Sequence, residues 1–216
     1  FGVDVVCDGG VNLMAWAEHA ALPERPPSLL FVKVATNVGC ALVVDGRLHR
    51  GVHGAAGDLG HVPVSDAEGR ACSCGNHGCL ETVAGGAALA RSLTEHGAQA
   101  STGRDVVRLL RAGEPEAARL VRRAGRAVGE ALATLVGVLA PALVVVGGDY
   151  VDAGDHLLTG IREVVYRRAL PATTRELRVV ASALPRDAGV RGAALRAIDH
   201  VLAPAAVDRA LALRPR

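Results

Sequence analysis

Four residues between positions 61 and 79 have the side chains and the spacing of a metal site. His61 lies eleven residues before Cys72, and Cys72, Cys74 and Cys79 fall within eight positions. Zinc prefers four tetrahedral nitrogen and sulfur ligands, and these residues supply one nitrogen and three sulfurs. The Cys-x-Cys pair is tighter than the Cys-x2-Cys spacing that is common in zinc fingers. We therefore predict a structural Zn2+ site in this loop.

Free or disulfide-bonded thiols are the alternative interpretation of the same cysteines. The chain has five cysteines, and three of them are clustered, so one is left over if two of the cluster pair. Nothing else in the sequence indicates secretion, and disulfides belong to oxidising compartments. We expect a reducing, cytoplasmic location, with Cys7 and Cys40 as small core residues.

The composition excludes several classes of function. Of the 216 residues, 50% are hydrophobic and only 2% are aromatic, which predicts a core of Val, Leu and Ala. The net charge is +2 with both signs interspersed, so no basic surface for nucleic acid or an anionic membrane is expected. No apolar run is long enough to span a bilayer. The start at Phe1 lacks an initiator Met and a signal peptide pattern, and we expect it to lie inside a longer protein.

Hydrophobic periodicity predicts an α/β architecture. Short apolar runs predict strands at 3–6, 29–35, 40–44, 47–51, 143–146 and 177–181. Asp45-Gly46 is a strong hairpin signal between the third and fourth of these strands. Helical spacing predicts helices at 11–22, 81–93, 103–112, 115–139, 153–168, 189–202 and 204–216, with a possible interruption at Gly85-Gly86. The alternation of strands and helices in the second half favours parallel pairing.

Two motifs carry a family resemblance. The segment Ala56-Gly57-Asp58-Leu59-Gly60-His61, followed by Cys-x-Cys-Gly-x2-Gly-Cys-Leu-Glu, resembles the ROK family of repressors, open reading frames of unknown role and sugar kinases. Further resemblance runs through 43–48 and 143–148. It implies an actin-like ATPase (ribonuclease H-like) fold, in which two lobes enclose a cleft for sugar and nucleotide. It also implies that residues 1–216 are mainly the C-terminal lobe with a zinc-binding loop at 60–81, and that the N-terminal lobe and any helix-turn-helix lie outside this chain.

The resemblance assigns sugar-binding roles to four residues. His61, Cys72, Cys74 and Cys79 would be the zinc ligands, and the second ring nitrogen of His61 would contact a sugar hydroxyl. Asp58 and Glu81 match the family's two acids, although the first of these is usually Glu. A carboxylate can accept hydrogen bonds from two adjacent hydroxyls, and charge-assisted bonds are strong. Asn12 would be a further sugar contact. For Glu81, the alternative role is that of an acid favoured by the dipole at a helix N-terminus.

The kinase motif of the family is incomplete in this sequence. Family kinases carry Asn-Asp-x-Asn before a helix, and the Asp takes the proton of the attacking sugar hydroxyl. Residues 11–18 align with the end of that motif, which places Gly9 and Gly10 at the Asn-Asp pair, with Gly10 at the expected Asp position. Glycine cannot act as a base. Asp8 is only a weak candidate for a catalytic residue, because it lies two positions earlier.

The nucleotide-binding motifs are altered in one place and kept in another. The family's Gly-Thr-Gly phosphate turn corresponds to Ala35-Thr36-Asn37 here, so Thr36 and Asn37 form a degenerate version of it. Gly147-Gly148, where the family seats adenosine, is retained, although a glycine pair after a strand is also ordinary turn chemistry.

The sequence thus predicts a sugar-binding, effector-sensing ROK domain of a transcriptional regulator without kinase activity. The alternative is an ATP-dependent sugar kinase of the glucokinase or N-acetylhexosamine kinase type, which would use ATP and Mg2+. A third possibility is a remnant that folds but binds nothing. The expected partners are a sugar or amino sugar, DNA only through a missing N-terminal domain, no membrane, and further copies of the chain in a homo-oligomer.

Overall fold

Five strands form one mixed sheet in the computed structural model, which describes residues 3–184 and 187–212. The strands are β1 (Leu29–Val34), β2 (Val38–Val44), β3 (Arg47–His49), β4 (Leu143–Gly147) and β5 (Arg178–Ala181). Their order is β3-β2-β1-β4-β5. Neighbours β3, β2 and β1 pair antiparallel, whereas β4 is parallel to both β1 and β5. The predicted meander and the predicted parallel pairing are therefore both confirmed.

The described ranges contain nine α-helices. They are α1 (Gly10–Ala21), α2 (Glu81–Ala84), α3 (Gly86–Glu95), α4 (Gly103–Arg111), α5 (Pro115–Leu139), α6 (His156–Arg168), α7 (Pro171–Thr174), α8 (Ala188–Val201) and α9 (Pro204–Ala212). None of these helices combines the length and the hydrophobicity that crossing a lipid bilayer requires.

The alternation of side chains along β1 divides the core into two parts. Leu30, Val32 and Val34 belong to a large cluster that includes side chains of α3, α5 and α6. Leu29 and Phe31 point to the opposite face and pack in a smaller cluster with Ala15 of α1. Successive strand residues face opposite sides of a sheet, so β1 is buried on both faces and lies at the centre of the fold.

Most predicted elements are confirmed within one to three residues, and one is wrong. Residues 3–9 contain no helix or strand, although 3–6 were predicted to be a buried strand. Val3 and Val5 are exposed because this segment pairs with none of the five strands. Cys7 is likewise exposed, contrary to its expected place in the core, whereas Cys40 is buried as predicted. The predicted end of the last helix, 213–216, lies outside the described residues.

Helices α5 and α6 approach each other through glycines. A Cβ atom added to Gly160 of α6 would lie 2.2 Å from the backbone oxygen of Arg122, and one added to Gly125 of α5 would lie 2.3 Å from that of Leu157. Contacts this close are possible only without side chains, since real Cβ atoms essentially never come within 3.0 Å of other heavy atoms.

We expect Gly160→Ala to destabilise the protein by about 2 kcal/mol, because an overpacked contact forces the helices apart. Gly137→Ala is the matched control, since Gly137 also lies in a helix but has nothing within 4 Å of an added Cβ. It should stabilise the protein slightly, by about 0.5–1 kcal/mol. Urea denaturation measures both. Equal stability of the two variants would show that the glycine contact contributes little.

Candidate functional site

The four predicted metal ligands come together at one point of the structure. One ligand atom from each of His61, Cys72, Cys74 and Cys79 lies within 4.8 Å of all the others. The Sγ atoms of Cys74 and Cys79 are 3.6 Å apart, and Sγ of Cys72 is 3.5 Å from Nδ1 of His61. The three cysteines are free thiols, which does not support the disulfide alternative. This donor set and spacing fit a tetrahedral metal ion.

Tight turns and short backbone bridges build this cluster. Gly75 and Gly78 have φ angles of +92° and +81°, which residues with a side chain rarely adopt. The backbone N–H of Cys72 donates to the oxygen of Asn76 at 2.8 Å, and Pro63 pairs with Cys79 in an isolated antiparallel bridge. The loop is thus closed from both sides by the main chain.

The cysteines of the cluster differ in their electrostatic environment. A hydrogen bond from the backbone N–H of Cys74 lowers the pKa of the Cys72 thiol to about 7. Burial raises the pKa of Cys79 to about 12. A metal ion binds thiolates, so it would have to displace the proton from Cys79.

The glycines of the Ala56-to-His61 motif place the loop that precedes the metal cluster directly against strand β2. Gly57 has a φ of +97°, and a Cβ there would lie 2.0 Å from the backbone oxygen of Cys40. A Cβ on Gly60 would lie 2.5 Å from the oxygen of Val38. The N–H of Cys40 donates to the oxygen of Gly57 at 2.8 Å. Because the main chains touch, the position of the loop is fixed relative to the sheet.

This seating determines where Asp58 and His61 lie. Asp58 directly precedes a 3-10 turn at Leu59–His61, of which His61 is the last residue, and Nε2 of His61 is 4.0 Å from Oδ1 of Asp58. Nδ1 of the same ring faces Cys72 in the cluster. The imidazole therefore has one nitrogen on the metal side and the other on the side of an exposed carboxylate.

Glu81 connects the cluster to the turn between β1 and β2. Its Oε2 accepts a hydrogen bond from the backbone N–H of Val38 at 2.7 Å, and its Oε1 accepts one from Nδ2 of Asn37 at 3.2 Å. Glu81 is also the first residue of α2, as its alternative role predicted. Thr36 lies in the same turn, and its backbone oxygen accepts a hydrogen bond from the N–H of Gly86. Glu81, Thr36 and Asn37 thus form one structural unit.

Asp8 and Asn12 lie at the start of α1. Nδ2 of Asn12 donates to Oδ1 of Asp8 at 2.9 Å, and Arg50 donates to Oδ2 through Nε at 2.9 Å and Nη2 at 2.6 Å. The side chain of Asp8 is only 5% exposed. Burial raises the pKa of Asp8, but the hydrogen bonds from Arg50, Asn12 and Gly9 outweigh it and hold the pKa below its ordinary value. Gly10, the first residue of α1, has nothing within 4 Å of an added Cβ.

Gly147-Gly148 lies at the carboxyl end of β4, beside a cavity of about 260 Å³. Gly148 has a φ of +112°, and a Cβ there would lie 2.2 Å from the oxygen of Val34, so the pair packs on β1. Lys33 and Ser182 also line the cavity. Ligands of open α/β sheets commonly bind outside the carboxyl ends of the strands, where this cavity lies.

Two polar residues of this region were missed by the sequence reasoning. Arg50 is 42 positions away from Asp8, and no local pattern connects them. Glu18 of α1 is buried and accepts hydrogen bonds from Oγ of Ser182 and from the N–H of Leu184. The only available signal for Glu18 was its place at the end of the aligned motif.

The chain is similar to curated sugar kinases. It is 32% identical over 205 residues to a glucokinase of Halalkalibacterium halodurans, a match that covers 87% of this chain and 62% of the relative. It is also 32% identical over 196 residues to an N-acetylmannosamine kinase of Citrobacter koseri, covering 91% of this chain and 66% of the relative. The chain thus spans less than two thirds of the length of these relatives.

Solved structures show the same fold. A ROK family transcriptional regulator, a homologue of the E. coli MLC protein, superposes with a TM-score of 0.78 at 27% identity, covering 87% of this chain and 50% of that one. A ROK hexokinase from Thermus thermophilus superposes with a TM-score of 0.73 at 37% identity, covering 86% and 64%. These likenesses confirm the predicted α/β, actin-like ATPase fold. Because the ROK family pattern matches residues 1–200, this chain belongs to the ROK family.

Proposed function

We propose that this chain is the sugar-binding, effector-sensing part of a transcriptional regulator that has no kinase activity. The lack of a usable base at the start of α1 carries this proposal. A sugar kinase needs a carboxylate that can take the proton of the attacking hydroxyl, and such proton transfer contributes about 10²- to 10⁴-fold to the rate. The aligned position is Gly10, which has no side chain to accept a proton.

The environment of Asp8 further supports this interpretation. Both of its oxygens accept hydrogen bonds, and Arg50 binds one of them twice. A carboxylate whose pKa is held low by a guanidinium is a weak base, and this one is almost completely buried. Asp8 could reach a sugar only if these bonds were broken.

The proposed sugar site consists of Asp58, His61, Glu81 and Asn12. The exposed carboxylate of Asp58 and Nε2 of His61 lie close together on one side of the metal cluster. Each carboxylate oxygen can accept more than one hydrogen bond, so Glu81 can bind a hydroxyl while it holds the turn between β1 and β2. A glucose-like or amino sugar, with hydroxyls on neighbouring carbons, matches the two carboxylates.

The metal in this proposal is zinc, held by His61, Cys72, Cys74 and Cys79. Three sulfurs and one nitrogen are a common structural zinc donor set, and four protein ligands leave no open position for catalysis. Bound zinc would supply rigidity, which keeps Asp58, His61 and Glu81 directed toward a ligand.

The rest of the proposal concerns the whole protein. Residues 1–216 would be mainly the C-terminal lobe of a ROK protein, with DNA contacts made by a separate N-terminal domain. Homo-oligomerisation and a cytoplasmic location belong to the same proposal. The solved regulator supports the proposal of a separate domain, because this chain covers only 50% of that protein.

An ATP-dependent sugar kinase is the second candidate, and the identity to a glucokinase and an N-acetylmannosamine kinase favours it. ATP and Mg2+ would then bind beside Thr36, Asn37, Gly147 and Gly148. Asn37 replaces a glycine of the phosphate turn and its amide donates to Glu81, which leaves this turn less suited to phosphate than the family pattern.

Metal analysis should find about one zinc per chain. Cys74→Ser should abolish binding and lower the free energy of unfolding by a few kcal/mol, part of the roughly 10 kcal/mol that structural zinc gives small modules. Cys74 is exposed, so this change removes no core packing. Cys7→Ser, at an exposed thiol outside the cluster, is the control and should leave zinc content and stability unchanged. Zinc content near zero in the unaltered protein would refute the metal site.

Calorimetry should detect binding of glucose or an N-acetylhexosamine, and a coupled assay should detect no ATP consumption with the same sugars. Asp58→Asn should weaken sugar binding about tenfold, since a charge-assisted hydrogen bond is lost. Its melting temperature should not change, because its side chain is 66% exposed. Asp66→Asn, which breaks an exposed pair with Arg123, is the control and should keep full affinity. Robust turnover of ATP would refute the regulator and establish the kinase.

A further inference from the structure

The two carboxylate oxygens of Asp8 bind different partners. Its Oδ1 accepts hydrogen bonds from the backbone N–H of Gly9 and from Nδ2 of Asn12, each at 2.9 Å. Its Oδ2 accepts two hydrogen bonds from Arg50. Nε of Arg196 on α8 also approaches Oδ2, at 3.5 Å, but makes no hydrogen bond within the described residues. Asp8 is therefore held from two sides.

The bond to Asp8 decides which way the amide of Asn12 faces. A carboxylate accepts hydrogen bonds only, so it binds the NH2 group of the amide and turns the amide oxygen away. Within the described chain, that oxygen accepts no hydrogen bond. It is also not fully buried, so it is accessible to a ligand. The arrangement thus leaves Asn12 with a fixed acceptor, which is what a hydroxyl group of a ligand requires.

Arg50 connects this amide to the loop that carries Asp58 and His61. Its guanidinium binds Asp8, while its backbone oxygen accepts a hydrogen bond from the N–H of Ala56 at 3.1 Å. Ala56 directly precedes Gly57, which is seated on β2. One residue therefore holds both the start of α1 and the beginning of the glycine motif.

We propose that Asp8 and Arg50 are a positioning pair, which fixes the amide oxygen of Asn12 toward the sugar and ties it to the loop of Asp58 and His61. This inference rests on the proposed sugar site and names a role for two residues that do not touch the ligand. Asp8, which lies two positions before Gly10, thereby orients Asn12 and does not transfer a proton.

A double-mutant cycle tests whether Asp8 acts through Asn12. With glucose and N-acetylmannosamine as probes, Asp8→Ala and Asn12→Ala should each weaken binding about tenfold, the equivalent of one ordinary hydrogen bond. The double variant should lose much less than the product of the two single losses, because part of the effect of Asp8 passes through the amide of Asn12. Losses that multiply to about a hundredfold would overturn the proposal.

Variants of Arg50 test the other half of the pair. Arg50→Lys keeps the charge but loses the two-bond geometry, so it should weaken binding less than Arg50→Ala. Zinc content should stay at one per chain in both. The control is Arg119→Ala, which breaks an exposed pair with Glu116 on α5 and should leave affinity unchanged. Affinity unchanged in folded Arg50→Ala protein would overturn the role of Arg50.

Nuclear magnetic resonance separates this inference from the proposed function. In the protein without sugar, the side-chain amide protons of Asn12 should exchange slowly, and Asp8→Ala should accelerate their exchange. If no sugar binds, the proposed site fails, and with it the positioning role. If sugar binds but Asp8→Ala leaves both the exchange and the affinity unchanged, only the positioning pair fails.

Discussion

The contact between the glycine loop and strand β2 is the constraint on which the candidate site depends. The oxygen of Cys40 occupies the space where Gly57 would carry a Cβ, and the N–H of Cys40 binds the oxygen of Gly57. Backbone atoms cannot be repacked as side chains can, so this contact fixes the distance between the loop and the sheet. The positions of Asp58 and His61 depend on that placement.

Glu81 extends the same constraint to the turn between β1 and β2. Its carboxylate receives the N–H of Val38 and the amide of Asn37, so α2 cannot move independently of the turn between β1 and β2. Gly60 lies between them, and a Cβ there would be 3.1 Å from Oε2 of Glu81. The residues proposed to bind sugar and the turn between β1 and β2 are therefore mechanically coupled.

The start of α1 carries a buried carboxylate whose two oxygens are both engaged in hydrogen bonds. Gly10 lies where the family kinases carry their base. The carboxylate of Asp8, two positions earlier, forms an ion pair with Arg50 and accepts a hydrogen bond from Asn12. Burial and a guanidinium act on Asp8 in opposite directions, and the hydrogen bonds prevail. A group in this state is suited to holding other groups in place, since it gives up its hydrogen bonds only at high cost.

The sequence by itself determined several features that depend on local spacing. The donor set at His61, Cys72, Cys74 and Cys79, the positive-φ hairpin at Asp45-Gly46 and the period of α5 are all short-range patterns. The sequence also placed a glycine, Gly10, at the position where the family motif carries its Asp, and a glycine has no side chain in any fold.

Only the tertiary structure decided which distant residues meet. The pairing of Asp8 with Arg50 spans 42 positions and that of Glu81 with Val38 spans 43, and no periodic pattern marks either. The same limit explains the error at 3–6, where a β-branched run had the composition of a strand. Composition indicates that a segment can pair, but pairing requires a neighbouring strand with a free edge, and only the assembled sheet determines where one exists.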